Sequence, residues 1–314
     1  MYHQANDPGF GEKFFKRTKR IINKDGSFNV TKIDGGFSSR DLYQFLINLS
    51  WPKFLLIILA SFILVNSIFA GLYELVEFTG IHKTISGNFL NVFLDDFFFS
   101  VQTFTTVGYG GILPQGILAN IISSFEALMG LMSFALATGL LYGRFSKPTA
   151  KIIFSKNAVI APYKDGIALE FRIANQRDNI LMEMEARILA VYLEKKNDQY
   201  IRKYYDLNLE MPFIYFFPLS WTIVHKIDNN SPLYGKTEED LRNSEVEFLI
   251  LIKAFDDTFS QHVHSRFSYR YDEVIWGARF KRAFHTNDIG DVVLELDMID
   301  NYEKIELPTG KKED

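Results

Sequence analysis

Two long, almost uncharged stretches dominate the hydropathy pattern of this 314-residue chain. Residues 54–73 contain no charged side chain, and residues 116–143 contain one, Glu126. At about 1.5 Å per residue, about twenty helical residues cross the hydrocarbon core of a bilayer. The pattern therefore predicts two membrane spans, at residues 51–76 and 116–146. Between them, the Phe- and Leu-rich residues 89–104 predict a re-entrant helix packed within protein.

A short amphipathic helix is predicted at residues 38–50, after an N-terminal segment at residues 1–37. Pro52 makes one continuous straight helix costly, because a proline inside a helix removes a hydrogen bond. We therefore expect a separate helix that lies flat at the membrane surface; an extension of the first span is the alternative. The apolar face of this helix consists of Leu42, Phe45, Leu46 and Leu49, and its polar face of Asp41, Gln44 and Asn48.

The hydrophobic period changes to two in residues 147–314. Turn residues such as Lys164-Asp165-Gly166 separate the alternating runs, and this pattern predicts an all-β sandwich. No Gly-x-Gly-x-x-Gly follows any of the runs, which disfavours a nucleotide-binding domain of the Rossmann type. The alternating positions are Ile167, Leu169, Phe171 and Ile173, then Val246, Phe248, Ile250 and Ile252, and finally Val292, Leu294, Leu296 and Met298.

The hexapeptide Thr-Thr-Val-Gly-Tyr-Gly, residues 105–110, directly follows the predicted re-entrant helix. Its glycines lack Cβ atoms, so the backbone can aim successive carbonyl oxygens in one direction. In potassium channels, four such loops replace the hydration shell of the ion. We therefore expect a potassium filter and, since one loop cannot surround an ion, a homotetramer; a Gly-rich turn is the alternative. The expected ion-binding residues are Thr106, Val107, Gly108, Tyr109 and Gly110, with potassium as the only metal.

The distribution of charge predicts the orientation of the chain. Residues 1–53 carry nine Lys or Arg against five Asp or Glu, whereas residues 54–146 carry two against five. Cations precede the first span and follow the second, so the positive-inside rule predicts that both termini are cytoplasmic. The chain has no cysteine, which excludes disulfides and thiolate metal sites.

The second span carries the residues that we expect to gate the pore. Phe134 and Tyr142 are eight residues apart and can form two aromatic rings in a four-fold bundle; packing or lipid contact is the alternative. Gly130 and Gly139 allow either a bend or close helix packing. A charge at the depth of Glu126 costs roughly 2.5 to 3.5 kcal/mol, so this residue is expected to face the pore, to pair, or to be protonated.

Several further strings are more specific than the filter motif alone. They are Ser50-Trp51-Pro52, Phe97-Phe98-Phe99-Ser100-Val101 before the filter, Arg144-Phe145-Ser146-Lys147-Pro148, Trp221-Thr222-Ile223-Val224-His225-Lys226-Ile227-Asp228 and Ile275-Trp276-Gly277-Ala278-Arg279-Phe280. Together they resemble the bacterial branch of the inward-rectifier potassium channels over about residues 36–300. The resemblance implies a membrane α-helical two-span pore domain with a re-entrant pore helix and filter, and an all-β immunoglobulin-like sandwich cytoplasmic domain. It also implies a tetramer in the bacterial inner membrane.

The resemblance assigns roles to further residues. Phe134 stands where strongly rectifying relatives carry an acid, so rectification is expected to be weak. Gln102 and Gly111 replace acids that relatives often have near the filter, so the polar contacts there must differ. A second narrowing is implied at the apical hairpin of the sandwich, Asp257, Thr258, Phe259 and Ser260. Contact with anionic lipids, phosphoinositides among them, is implied for Arg144, Lys147 and Lys151, although the same cations would also serve topology alone.

Other classes of function stay open at this stage. A membrane-anchored β-sandwich receptor or scaffold would share the spans and the soluble domain, but it would not need the filter glycines. No nucleophile, base and orienting group recur at a recognisable spacing, so we expect no enzyme, no cofactor besides the permeant ion and no nucleic-acid partner. We interpret His225, His262 and His264 as ordinary core or surface histidines, with a pH or metal site as the alternative.

Overall fold

The computed structural model describes residues 4–16, 18–31, 33, 39–76, 89–146, 150–196 and 199–308. The chain divides into two compact units, Asp34–Lys147 and a second that combines Met1–Ile33 with Pro148–Asp314. The N-terminal segment up to Ile33 therefore belongs with the β-rich part of the chain, whereas α1 belongs with the membrane-length helices. Lys147 and residues 77–88 of the connecting loop lie outside the described residues.

The first unit contains four helices in its described part. Ser50, between the first two of them, has an extended backbone with φ −62° and ψ 150°, and Pro52 lies in the first turn of the second, where a missing N–H costs little. The two helices are therefore separate, and the alternative of one prolonged span is wrong. Their bounds are α1 Ser39–Asn48, α2 Trp51–Leu75, α3 Phe89–Phe104 and α4 Ile117–Phe145.

Helices α2 and α4 are long and apolar enough to cross a membrane. α2 has 25 residues and α4 has 29, and an 18-residue stretch within each has a mean hydropathy of 2.5 and 1.6, respectively. Large apolar side chains on both helices are exposed in the single chain, for example Leu56 at 64%, Leu64 at 61% and Leu131 at 61%. Such surfaces suit contact with lipid or with further membrane helices.

The second unit is built mainly of β-strands, and its described residues include a short helix, α5, at Glu238–Asn243. Two short strands come from the N-terminal segment, β1 Gln4–Ala5 and β2 Lys13–Phe14. The central strands are β3 Ile152–Phe154, β4 Ala158–Tyr163, β5 Gly166–Asn175, β6 Leu181–Lys196, β7 Gln199–Leu207, β8 Phe213–Phe216 and β9 Ser220–Ile227. The remaining strands are β10 Glu247–Asp256, β11 Gln261–Arg270, β12 Val274–Trp276, β13 Ala278–Phe280, β14 Phe284–Thr286, β15 Val292–Leu294 and β16 Tyr302–Lys304.

Two sheets face each other around one apolar core. The larger sheet has the order β1-β7-β6-β10-β11, with β2 also on β7 and β8 also on β6; the smaller has the order β12-β4-β5-β3, with β9 also on β5. Phe171 of β5 and Ile223 of β9 pack in the same buried cluster as Phe248 and Ile250 of β10. The predicted β-sandwich is confirmed, because two of the three alternating runs lie in β5 and β10 and supply its core.

The strand prediction for the third alternating run, residues 292–298, is correct only in part. Val292 and Leu294 lie in β15, but residues Leu296–Asp300 form a 3₁₀ turn, so the strand assignment of Leu296 and Met298 is wrong. In this turn the Met298 N–H donates to the Glu295 carbonyl at 3.0 Å, and Ile299 becomes 2% exposed. The 3₁₀ turn thus buries a residue that lies outside the two-residue period of the run.

The N-terminal segment is held to the larger sheet by backbone pairing and by charged groups. β1 and β2 both pair antiparallel with β7. The Glu247 carboxylate accepts hydrogen bonds from the N–H of Ile21 at 2.9 and 3.0 Å, and Arg20 forms an ion pair with Glu273 at 2.5 Å. The sequence pattern did not indicate this docking, because the partners are 186 to 253 residues away along the chain.

Candidate ion pathway

The candidate filter loop follows α3 without a break. The N–H of Thr105 donates to the Val101 carbonyl at 3.0 Å, which completes the last helical turn. The N–H groups of Val107 and Gly108 then both point to the Gln102 carbonyl, at 2.9 and 3.4 Å. The position of α3 therefore fixes where the loop begins.

Every second residue of the loop has a left-handed backbone. The φ angle is +60° at Thr106, +51° at Gly108 and +81° at Gly110, and Val107 and Tyr109 between them do not share this conformation. Glycine adopts it readily, whereas a β-branched residue such as Thr106 does so only under constraint. Alternation of this kind aims successive carbonyls to one side, as a ladder of ion sites requires. The sequence indicated the two glycines but not the strained Thr106.

The loop is open to its surroundings in a single chain. Val107 is 53% exposed and Tyr109 is 82% exposed. A Cβ atom placed on Gly108 or Gly110 would meet no described atom within 4 Å. Irregular backbone within a membrane must be covered by protein or must line water, so a single chain leaves this loop incomplete.

A cavity of about 760 Å³ adjoins the loop, between α2 and α4. Thr105 and Thr106 line it together with Phe134, which is 74% exposed. The structure thus brings Phe134 and the start of the filter loop to one cavity. Tyr142 lies eight residues further along α4, about 12 Å along the helix axis, and is 73% exposed. Both aromatic side chains are therefore accessible in one chain, as two rings between several chains would require.

Gly130 and Gly139 of α4 have different environments. A Cβ atom on Gly130 would lie 2.0 Å from the carbonyl oxygen of Phe104, the last residue of α3. Only glycine therefore permits this approach of α4 to α3, and close packing accounts for Gly130. A Cβ atom on Gly139 would meet nothing within 4 Å in the described chain, so packing within one chain does not account for this residue.

Glu126 is fully buried within one chain, where α2, α3 and α4 meet. Tyr73 of α2 donates its hydroxyl hydrogen to Glu126 Oε2 at 2.6 Å, and Ser100 of α3 is hydrogen-bonded to Glu126 Oε1. Asn66 of α2 in turn contacts Ser100 Oγ at 2.9 Å. Of the three environments expected for Glu126, the pore-facing one is therefore wrong. Sequence reasoning missed the partners, although the amide of Asn66 within the uncharged first span could have indicated one of them.

Arg144 joins the end of α4 to the end of α1. Its guanidinium donates to the carbonyl oxygens of Leu46 at 2.7 Å, Ile47 at 3.0 Å and Leu49 at 2.8 Å. These carbonyls belong to the last turn of α1 and the residue after it, where no helical N–H is available to pair with them. Arg144 is thus bound within the chain, and its expected role in lipid contact stays a prediction.

Neighbouring residues make further contacts between α1, α2 and the end of α4. The Arg144 guanidinium lies 4.6 Å from the ring centre of Trp51 and 4.3 Å from that of Phe54. A Cβ atom on Gly143 would lie 2.8 Å from the Tyr43 hydroxyl oxygen, so glycine permits the close contact of α1 with α4. We call these contacts the α1–α4 joint. Tyr142 immediately precedes Gly143, so the joint adjoins the candidate gate.

The expected hairpin constriction is the four-residue turn between β10 and β11, residues 257–260. Asp256 before it is fully buried and accepts hydrogen bonds from Asn179 Nδ2 at 2.8 Å and from the N–H of Thr258 at 3.0 Å. Ser260 has a φ of +49°, which closes the turn. The turn is therefore anchored at its base, with Asp257, Thr258 and Ser260 exposed and Phe259 half-buried.

The three predicted histidines do not form a ligand set in the described part of the chain. His225 is buried, and its two ring nitrogens are 2.7 Å from the Asn208 carbonyl and 2.8 Å from Ser231 Oγ. Burial lowers the pKa of His225, which favours the neutral ring at physiological pH. His262 and His264 are exposed on β11. The interpretation of His225 as a core histidine agrees with this geometry.

Two membrane-length helices that bracket a filter-like loop, in a chain that also carries a β-sandwich, define the subunit of a membrane ion channel. Family models agree: one described as "Ion channel" matches residues 54–147, and one described as "Inward rectifier potassium channel C-terminal domain" matches residues 152–314. The inward rectifier potassium channel Kirbac3.1 of Paramagnetospirillum magnetotacticum is 38% identical over 285 residues, which cover 89% of this chain and 94% of that protein. The chain therefore belongs to the inward rectifier potassium channel family.

More distant relatives extend the likeness to animals. The G protein-activated inward rectifier potassium channel 3 of Mus musculus is 26% identical over 330 residues, covering 97% of this chain and 82% of that protein. The inward rectifier potassium channel irk-1 of Caenorhabditis elegans is 24% identical over 317 residues, covering 93% of this chain and 58% of that protein. The family is one of membrane ion channels, which are not a class of enzyme, and membership favours potassium conduction over the receptor or scaffold alternative.

Proposed function

We propose that four copies of this chain surround one potassium pathway and that their filter loops bind the dehydrated ion. The ion-binding groups are the carbonyls of Thr106, Val107, Gly108, Tyr109 and Gly110, with the Thr106 hydroxyl at the inner end. The observation that carries the proposal is the left-handed backbone at every second residue of this loop, a conformation with which successive carbonyls can point to one side. Potassium and sodium flux into vesicles that contain the purified protein tests it; equal flux of both ions would refute a selective filter.

A tetramer is the first expected result. One loop supplies too few oxygens to replace a hydration shell, and cyclic closure of four loops is the simplest arrangement that supplies enough. The exposed Val107 and Tyr109 side chains are consistent with surfaces that further chains cover. Native mass measurement in mild detergent should give four chains. A monomer or dimer that still conducts selectively would contradict the proposal.

We place the gate on α4, at rings formed by Phe134 and Tyr142. Both side chains are exposed in one chain, and Phe134 lines the cavity next to Thr106. Apolar rings stop ions because a narrow apolar passage loses its water. The hairpin at Asp257–Ser260 is a second candidate narrowing. Since Phe134 carries no charge to hold blocking cations, we propose weak rectification.

The α1–α4 joint gives the gate a direct link to the interfacial helix. Arg144 lies two residues after Tyr142, and its side chain binds three carbonyl oxygens at the end of α1. A movement of α1 at the membrane surface would therefore move the end of α4. For anionic lipid contact we favour Lys151, whose side chain is exposed, together with Lys147 outside the described residues. We place both termini in the cytoplasm and the channel in a bacterial inner membrane, in line with the bacterial relative.

A charge-conserving substitution separates the joint from lipid attraction. Arg144→Lys keeps the charge but loses the planar fork that reaches three carbonyls, at about 1.5 to 3 kcal/mol for each hydrogen bond of a charged donor. We expect Arg144→Lys to change resting potassium flux equally in neutral and in anionic vesicles. Lys151→Ala, the matched control, should reduce only the difference between the two lipids. Normal flux in Arg144→Lys would leave the joint without a role in gating.

A further inference from the structure

The hydrogen bonds around Glu126 require one hydrogen more than the hydroxyl groups of its neighbours can donate. Three oxygen–oxygen contacts connect the group: Tyr73 Oη with Glu126 Oε2, Ser100 Oγ with Glu126 Oε1, and Ser100 Oγ with Asn66 Oδ1. Each contact needs a hydrogen between its two oxygens. The Tyr73 and Ser100 hydroxyls have one hydrogen each. The third hydrogen must come from the carboxyl group of Glu126.

The orientation of the Asn66 amide excludes an alternative arrangement in which the amide, rather than Glu126, supplies the third hydrogen. If the amide were reversed, its nitrogen could donate to Ser100, and an ionised Glu126 could then accept from Ser100 and Tyr73. However, the nitrogen already donates to the Phe62 carbonyl oxygen at 2.7 Å. A reversed amide would place two acceptor oxygens at that distance, with no hydrogen between them. The Asn66 oxygen therefore faces Ser100, and the count of hydrogens holds.

The surroundings of the group also disfavour a charge. Glu126, Ser100 and Asn66 are fully buried, and Tyr73 is 2% exposed. Phe69 and Phe99 pack against Tyr73 in an apolar cluster. The titratable groups nearby are Tyr73 itself and the buried Asp95 and Asp96 of α3, of which Asp96 interacts electrostatically with Tyr73.

No described cation lies close enough to compensate an ionised Glu126. Helices α2, α3 and α4 carry only Lys53 and Arg144 as cations among their described residues. Arg144 is eighteen residues along α4 from Glu126, about 27 Å. A buried charge without a counter-ion is strongly disfavoured.

We propose that Glu126 carries a proton and, as a neutral hydrogen-bond donor, positions the pore helix α3 and with it the filter loop. Ser100, which receives the hydrogen of Glu126, lies two residues before Gln102. The Gln102 carbonyl in turn holds the N–H groups of Val107 and Gly108 at 2.9 and 3.4 Å. Glu126 touches no permeant ion; it is a positioning residue for selectivity. The inference rests on the proposed filter function.

Glutamine tests the proton because it has the shape of a protonated glutamate. In Glu126→Gln the amide nitrogen can donate to Ser100 and the amide oxygen can accept from Tyr73, so the potassium preference over sodium should stay within about twofold of the parent. Glu126→Ala and Ser100→Ala remove the hydrogen bond between α4 and α3, and each should lower the potassium preference over sodium at least about tenfold. Ser123→Ala is the matched control, because Ser123 is also buried but its hydroxyl donates to the Asn120 carbonyl of its own helix.

Infrared difference spectroscopy on the same proteins detects the proton without ion flux. The parent should show the carbonyl stretch of a protonated carboxyl group, and Glu126→Gln should lack it. Absence of that band, or lost selectivity in Glu126→Gln at normal tetramer levels, would overturn the proton assignment. Full selectivity in Glu126→Ala would overturn the positioning role. A parent protein that shows the band but no selective flux would instead refute the proposed filter function.

Discussion

Replacing Gly108 with alanine should abolish selective potassium flux. Gly108 has a φ of +51°, and an L-residue with a Cβ atom pays roughly 1 to 2 kcal/mol for a left-handed backbone. The cost arises in every chain of the assembly, and relaxation of the loop would turn the carbonyls of Val107 and Gly108 out of line. Flux of potassium and sodium into vesicles measures the loss directly.

Gly111→Ala is the matched control for this change. Gly111 follows the same loop, but its φ is not positive, and a Cβ atom there would meet nothing within 4 Å. We expect its selectivity to equal that of the parent. If Gly108→Ala kept the full preference for potassium, the filter would have to be formed by other residues. Tetramer levels should be measured in both variants, so that lost assembly is not mistaken for lost selectivity.

Tyr142→Ala should raise the resting potassium flux and leave ion selectivity unchanged. A ring of four Tyr142 side chains would narrow the passage where the α4 helices end, and alanine would widen it enough to stay hydrated. We expect an increase of at least about tenfold, equivalent to a barrier lowered by about 1.4 kcal/mol. The filter loop is far along the chain from this position, so the ratio of potassium to sodium flux should not change.

Phe125→Ala provides the control on the same helix. Phe125 is also an exposed aromatic residue, at 58%, but it lies nine residues before Phe134, about two and a half turns, and so points away from the Phe134 side of α4. Its loss should leave the resting flux unchanged. Unchanged flux in Tyr142→Ala at normal tetramer levels would move the gate elsewhere, most naturally to the hairpin around Phe259.

The features that the sequence predicted well are those set by local pattern. Twenty uncharged residues, Pro52 and the two-residue period of β5 and β10 each act within a short stretch, so α1, α2 and the sandwich could be predicted from them. The strain at Thr106 could not, because a threonine does not by itself favour a positive φ. The same holds for Ile299, which is buried only because the preceding segment leaves the strand.

Features that depend on distant partners were missed. The lipid contact predicted for Arg144 stays a prediction, but nothing in the sequence shows that the carbonyls of Leu46, Ile47 and Leu49 would lie beside this residue. Glu126 was recognised as unusual, but its partners lie on two other helices and are separated from it by 26 to 60 residues. The local sequence pattern identifies Glu126 as unusual, but its surroundings depend on how the helices pack.

The pairing of β1 and β2 with β7 has a practical consequence for the handling of the protein. β7 is paired on one side with β6, and on its other side the two N-terminal strands cover it along part of its length. A recombinant chain that began at the first membrane-associated helix would leave that side bare. Uncovered strand edges recruit other strands, so such a truncation would promote aggregation through the β-rich unit even with the membrane-length helices intact. Affinity tags are therefore better placed at the other terminus.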